Sequence, residues 1–530
     1  MPEEQREPAA PLHKRARAGY RRWHDVVGVT SVVVMAGAFL SPVLKDGWSF
    51  GPFDQGSFET IGHHSAMAAH NVLNGDIINQ GVQWNALDWR TFHAGHIPLW
   101  NSFSALGIPQ AFNFESGAFS LPDLFSYAVP LRYAFLVVVF VKLLIAGTGA
   151  YVLCRQLGTR PVSAAFGGVC FMLSGAVANW LGWSLSGVVC PVGWVCALML
   201  LCYRDPRRRW PALLAVAIAF SFFGGFPEMY LLEAGALAAF AVAGLVALLA
   251  LGRRPMFTGS LRALIGLVAG TVLAAPLLLP GRQVIALSPH ALGPGQDVNP
   301  PMTDLATALA QGYYGLPIAG SHTFHHVNYY ETVSYVGVVL LALCIVGIVA
   351  GRRQAAVIAM AGLGFVSLAS SYRFGSFDPA GRLLTGLNLG AVHSPRLRLV
   401  GWFAVAILGA VGLDHVLERP GRTVRVAFAS TSLLAVGLVA ALVVNSAGQN
   451  LGRARGNERF DSLVWPVALS AGLLFVAAAL LVGARNNRPL RRRWKVPIGG
   501  ALVCGEVAFL FFAGVGLNSY SHSFLPEYPA

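Results

Sequence analysis

Charge is what this chain has least of. Only 12% of its 530 residues are Asp, Glu, Lys or Arg, while 55% are hydrophobic and mean hydropathy is +0.58. That composition excludes a soluble globular protein and leaves the polytopic membrane class. Acidic residues are scarcest, 24 against 38 basic ones, so each carboxylate in a polar segment asks for a reason. The seven cysteines (154, 170, 190, 196, 202, 344 and 504) all lie in or beside hydrophobic stretches. They form no paired set in polar segments, which excludes a disulfide framework and a Cys-type metal cluster. Short-period repeats, a heptad seam and nucleic-acid motifs are also lacking, so no nucleic-acid partner is expected.

What is present is a succession of hydrophobic stretches. A hydrocarbon core about 30 Å thick needs about 20 apolar residues per helix, and roughly thirteen stretches meet or approach that length. They lie near 25–44, 132–154, 161–180, 184–203, 211–224, 230–251, 260–280, 333–350, 355–371, 399–416, 426–445, 464–484 and 496–517. An all-α, multi-pass membrane protein follows. The first stretch has no small-residue cleavage site after it and is expected to stay as an anchor. Lys14 to Arg22 precede the first stretch, and basic residues recur after every second stretch beyond it: Arg204 to Arg209, Arg253–Arg254, Arg352–Arg353, Arg419 to Arg425 and Arg485 to Lys495. The positive-inside rule makes those segments cytoplasmic, which accounts for the net charge of +14 without an acidic partner. The N terminus is then cytoplasmic and the C terminus exterior, with 45–131, 282–332, 372–398 and 446–463 all outside. The expected organisation is a basic cytoplasmic tail over 1–24, a main transmembrane module over 25–420 with exterior loop 45–131, and C-terminal helices over 421–530.

The polar segment from Asp76 to Pro122 breaks the hydrophobic pattern. A long ordered loop holding carboxylates, amides, Trp and Gly-x-Pro turns is more than a connector needs. Before it, Phe58, Ile61, Met67 and Val72 space out an amphipathic helix for the membrane surface, which Asn74-Gly75 ends. Asp76 then falls just past a helix end beside the bilayer, where partial desolvation raises carboxylate basicity and suits a general base. The plainer reading is a solvated loop aspartate. Asp54, nearer the first helix, is the rival base.

The order Asp76, Gln80, Gly95-His-Ile-Pro98-Leu99-Trp100-Asn101, Gly107-Ile-Pro109, Ser116 and Pro122 resembles the opening loop of the YfhO-type bacterial membrane proteins. The likeness continues through Gly224-Gly225-Phe-Pro227-Glu228, Tyr330-Glu331 with Tyr335 and Gly337, and His393-Ser-Pro395-Arg396-Leu-Arg398. The sequence departs from the family at Gln83 or Trp84, where Pro is usual, and at His393, where Arg is frequent. The resemblance implies a GT-C-like fold and a glycosyltransferase that moves a sugar from a polyprenyl-phosphate donor to a cell-envelope glycan, lipid or protein acceptor on the outer face. It implies Asp76 as catalytic base; Gln80, Trp100, Asn101, Glu331, Arg396 and Arg398 are the candidate substrate-binding residues.

The chemistry is compatible with these residue types. Inverting transfer from a phosphate leaving group needs one base, unlike glycoside hydrolysis with its carboxyl pair. Arginine suits the phosphate because its planar donor set stays charged. Arg396 and Arg398 stand against the positive-inside bias, as do Arg282, Arg373 and Arg382; anionic headgroups or snorkelling are the ordinary explanation for such residues. No cofactor is required. His63-His64 and His322-x-x-His325-His326 lack a carboxylate at ligand spacing, so no metal site is expected. Glu331 is equally suited to pairing with an arginine. Trp84, Trp89, Trp100, Tyr313, Tyr314, Tyr329 and Tyr330 are candidates for sugar stacking or for ordinary interfacial roles. Glu228, Glu233 and Glu506 lie at or within hydrophobic stretches; the last two keep a lipid-linked sugar flippase open as an alternative. A non-catalytic scaffold for envelope assembly is the third reading.

Overall fold

The computed structural model describes residues 12–45, 47–54, 70–104, 106–286, 300–318, 328–372, 394–418, 421–448, 467–483 and 488–522. Among them the chain is almost wholly helical, as the hydropathy pattern predicts. Eight helices are long and apolar enough to cross a membrane: Leu131–Gln156, Pro161–Trp180, Ser184–Arg204, Pro227–Ala250, Phe257–Val284, Pro395–Glu418, Arg422–Leu442 and Val496–Leu517. Shorter apolar helices occupy Trp23–Phe39, Arg209–Phe223, Val338–Gly351, Ala355–Ser371 and Leu469–Leu480. Each hydrophobic stretch expected from the sequence falls on one of these helices, so the chain is a multi-pass membrane protein. The amphipathic helix expected over 58–72 lies almost entirely outside the described residues.

We number the helices α1 (Leu12–Phe39), α2 (Val82–His93), α3 (Leu121–Ser126), α4 (Leu131–Gln156), α5 (Pro161–Leu173), α6 (Ser184–Val189), α7 (Val192–Arg204), α8 (Arg209–Phe223), α9 (Pro227–Ala250) and α10 (Phe257–Ala286). There follow α11 (Ala306–Leu309), α12 (Tyr329–Thr332), α13 (Val338–Gly351), α14 (Ala355–Ser371), α15 (Arg398–Glu418), α16 (Arg422–Gly448), α17 (Leu469–Gly483) and α18 (Arg488–Leu517).

Lipid tails are as apolar as leucine, so these helices associate through close packing at small residues rather than by excluding water. Gly347 of α13 meets the Leu408 carbonyl of α15, and Gly412 of α15 meets the Leu343 carbonyl of α13. Gly147 of α4 and Gly168 of α5 approach in the same way. The result is a graded bundle. The span containing α15 is 94% buried at its centre, whereas α10 is 17% buried and presents Leu264, Val268, Val272 and Leu279 outward.

Two short strands, β1 (Trp48–Phe50) and β2 (Tyr520–His522), pair antiparallel with Ser49 opposite Ser521. This pairing puts the chain after α1 and the chain after α18 on one side of the bundle. The polar segment before α4, the turn before α9, α12 and the start of α15 meet on that same side.

Candidate active site

The site begins with a sequence of turns. Asn71 caps a 3-10 turn over Val72–Asn74, its Oδ1 accepting from Leu73 N at 3.1 Å. Gly75 and Asp76 continue helically into a π turn over Ile77–Gly81, which runs into α2. Asp76 therefore stands between the end of a 3-10 turn and the π turn that leads into α2. Its carboxylate is exposed and does not cap the turn it precedes. The partial desolvation expected from its place in the sequence is not found, because Ile77 takes the inward position, packed on Gly182, and leaves Asp76 facing out. Single π turns within helices recur at functional sites, where the extra residue re-aims neighbouring side chains. Gln80, half-buried, lies within that turn. Asp54 is placed differently: its Oδ2 accepts from His70 N at 2.6 Å, which ties it to the chain entering the turn.

The anchor for this segment is Tyr330 of α12. Its hydroxyl donates to Asn74 Oδ1 at 2.7 Å and accepts from Asn71 Nδ2 at 2.8 Å. Asn71 also donates to Leu517 O, and Asn74 to Ser519 Oγ, so the end of α18 joins the same node. The Tyr330 ring packs on Trp183 at 4.8 Å, and burial raises its hydroxyl pKa above the ordinary range.

The next residue, Glu331, enters an ionic cluster. Arg396 donates to Glu331 Oε1 through Nη2 at 2.7 Å and to Glu228 Oε2 through Nη1 at 3.1 Å. Its guanidinium lies 4.9 Å from the centre of the Phe226 ring. Arg398 is completely buried; it donates to Tyr330 O at 2.7 Å, Ser334 Oγ at 2.9 Å and Pro395 O at 3.0 Å, with Glu331 Oε2 at 4.0 Å. The sequence suggests two arginines for a phosphate. In the structure their donors are turned to protein groups, and two carboxylates balance two guanidiniums. Arg398 holds Tyr330 and the start of α15 in place, while Arg396 keeps a partly exposed edge. Glu331 takes the structural pairing that its sequence context also allowed.

Beyond α2 the segment folds on a buried polar network that sequence reasoning missed. Asp88 is fully buried and accepts from Gln110 Nε2 at 3.0 Å. Burial, with the neighbouring Asp123, pushes its carboxyl up to about 8, against the opposing Gln110 bond. Asp123 accepts from Asn85 Nδ2 at 2.9 Å and from Ser120 Oγ at 2.5 Å; burial raises it to about 6. The available signal was Ser120-Leu-Pro-Asp123, a Ser-x-x-Asp capping pattern with Pro inside the first turn of α3. Lys142 of α4 is buried beneath it and donates to Trp183 O at 2.8 Å. Asn101, expected to bind substrate, is buried in the same network: its Oδ1 accepts from Phe103 N at 3.0 Å and its Nδ2 reaches Gln110. Trp100 is exposed.

Trp84 and Trp89 are half-buried on α2, and Tyr313, Tyr329 and Tyr330 are buried in the core. Glu233 and Glu506 are buried within α9 and α18. Arg282 is exposed near the end of α10. His63, His64, His322, His325, His326, Arg373, Arg382 and His393 lie outside the described residues.

Fold and site thus define a multi-pass helical membrane protein with a folded polar segment docked on one end of its bundle. No family model matches the chain, and no curated protein does. Among solved structures it is similar to arabinofuranosyltransferase AftD from Mycobacteria, at 18% identity and TM-score 0.43 over 82% of this chain and 28% of that one. It is also similar to ArnT from Cupriavidus metallidurans bound to undecaprenyl phosphate, at 14% identity and TM-score 0.43 over 93% of this chain and 76% of that one. The apo form of the same ArnT gives 14% identity and TM-score 0.42 over 82% and 71%.

Proposed function

We propose that the protein is an integral-membrane, GT-C-type glycosyltransferase that moves a sugar from a polyprenyl-phosphate donor to a cell-envelope acceptor on the exterior face, with Asp76 as general base. One observation carries this reading. Motifs far apart in sequence, Asn71 to Gln80, Pro227-Glu228, Tyr330-Glu331 and Pro395 to Arg398, converge on one end of the bundle through Tyr330 and Arg396. At that end Asp76 is the exposed carboxylate on the turn that Tyr330 holds.

The acceptor hydroxyl oxygen attacks the sugar C1 as the bond from C1 to the carrier phosphate oxygen breaks. The hydroxyl proton passes to the Asp76 carboxylate, and the polyprenyl phosphate leaves with the bonding pair. Inversion at C1 follows from the single displacement. Gln80 and the exposed edge of Arg396 are the groups we assign to substrate; Glu331 holds Arg396, Arg398 holds the start of α15, and Asn101 stays within the buried network of Asp88. The alternating basic segments support an exterior site and a cytoplasmic N terminus.

The test is transfer from a synthetic polyprenyl-phosphate sugar by purified protein in proteoliposomes. Donor-dependent product from wild type, lost in Asp76→Asn, supports the reading; equal transfer by both overturns the assignment of the base. The buried Glu233 and Glu506 favour a flippase instead, and lipid flipping without any transfer product would establish it.

A further inference from the structure

Between α2 and α3 the chain makes a short hairpin. Asn101 and Ile108 exchange both backbone hydrogen bonds at its neck, at 2.8 and 2.9 Å, and Gly107 N donates to Ser104 O at 2.7 Å across the turn. The neck is riveted to α2, since Asn101 reaches Gln110 and Gln110 donates to Asp88. Gly107, at φ +113, lies against the Trp100 ring; a Cβ there would sit 2.5 Å from it, so the ring lies across the turn only because this residue is glycine. The neck of the hairpin is therefore fixed to α2.

Its tip is apolar and uncovered. Phe103 is 88% exposed, Leu106 is 105% exposed and Trp100 is 58% exposed, with Ile97 and Leu99 exposed beside them. Leu106 holds φ at +69, the only non-glycine residue with positive φ among the described residues, and it projects its side chain from the turn. Residues 97–114 contain no Asp, Glu, Lys, Arg or His. An exposed apolar patch of this kind marks an interaction site.

The surroundings identify the partner as lipid. The strand of chain leaving the hairpin packs on the end of α10, where Phe114 lies over Gly281. That helix turns Val272, Leu273 and Leu279 outward along the lipid-facing belt. Leu124 and Phe125 of α3 and Tyr133 at the start of α4 are exposed apolar side chains as well. Irregular chain exposed to lipid does not occur in the hydrocarbon centre, but an apolar, aromatic turn fits the interfacial zone favoured by Trp and other aromatics.

We propose that the 97–108 hairpin is a membrane anchor: Phe103 and Leu106 insert into the interface of the leaflet on their own side, Trp100 sits at headgroup level, and the neck ties the polar segment carrying Asp76 to the bilayer. This inference needs only the membrane-spanning fold and stands apart from the reaction proposed above.

The test uses full-length protein in proteoliposomes. Phe103→Cys and Leu106→Cys are each placed on a Cys504→Ser background, because Cys504 is the exposed thiol and the other six are buried. Each is labelled with an environment-sensitive fluorophore, with Gln83→Cys on the exposed face of α2 as reference. The anchor requires that both hairpin labels lose most of their emission to lipids spin-labelled high on the acyl chain and resist aqueous iodide, while the Gln83 label does the reverse. Iodide quenching at both tip positions overturns it. Resistance to both quenchers also overturns it, because protein would then cover the tip.

Discussion

Tyr330 and Asn74 meet through a 2.7 Å hydrogen bond that joins the first polar segment, two residues before Asp76, to the helix end bearing Glu331. The same tyrosine carbonyl accepts from Arg398, so one residue links the candidate base to the ionic cluster. Tyr330→Phe removes both hydroxyl bonds and leaves the buried Asn71 and Asn74 amides underpaired. Losing partners for buried polar groups costs about 1–3 kcal/mol. We expect a lower melting temperature in detergent and a fall in kcat, with donor affinity less affected because Arg396 is untouched. Unchanged kcat in a well-folded variant would separate Tyr330 from the positioning of Asp76.

Asp76→Asn is the sharpest test of the chemistry. A general base contributes about 10²–10⁴-fold, and kcat should fall by that order while donor binding is retained. An exposed side chain that caps nothing leaves folding unchanged when replaced by its isostere. Asp54→Asn, by contrast, weakens an acceptor for His70 N and should lower stability more than turnover. A loss of kcat in Asp54→Asn that exceeded the loss in Asp76→Asn would exchange their roles.

The sequence reveals the helices well because membrane helices are written in long apolar runs, and the positions of α4, α9 and α15 follow from length alone. It also marks Asp76, Glu331 and Arg396 as residues of interest. What it does not reveal is who pairs with whom. Whether Arg396 meets a phosphate or Glu228 depends on a contact across 168 positions, and no local pattern contains it. Asp88 looks like an ordinary charged residue on α2 until tertiary packing buries it under Gln110. The hairpin was legible only as Gly-x-Pro punctuation; its apolar tip became visible once Asn101 and Ile108 were seen to pair.

Arg396 provides a test of the ionic cluster. Replacing it with Met removes the guanidinium that pairs with both Glu228 and Glu331; breaking a fully buried pair costs about 3–5 kcal/mol, and these partly exposed carboxylates, with Arg398 4.0 Å from Glu331, should lose less. Arg396→Lys keeps the charge but cannot span both carboxylates, so we expect partial stability with poor activity. Glu228→Gln combined with Arg396→Met should recover part of the loss in thermal stability. If the double variant is no better than Arg396→Met alone, the Glu228 contact is not what the cluster depends on.

The buried acids Asp88 and Asp123 set a pH dependence whose sign is opposite to that of a salt-bridged carboxylate. Both are raised in the folded state, Asp88 to about 8 and Asp123 to about 6, against an unfolded value of about 3.9. Between the unfolded and folded values the native state holds protons that the unfolded chain has released, so stability falls as pH rises. The fall is steepest from about pH 4 to 6, where both acids contribute, continues from about 6 to 8 through Asp88 alone, and stops above that. Each proton carries at most about 1.4 kcal/mol per pH unit. Asp88→Asn keeps a partner for Gln110 and removes the titration, so its stability should be flat between pH 6 and 8 where wild type declines. Protease resistance of the segment between α1 and α4, followed from pH 5 to 9, reads this directly. A wild-type profile that rises with pH over that interval would mean that Asp88 is ionised in the folded protein and that a cation, not burial, governs it.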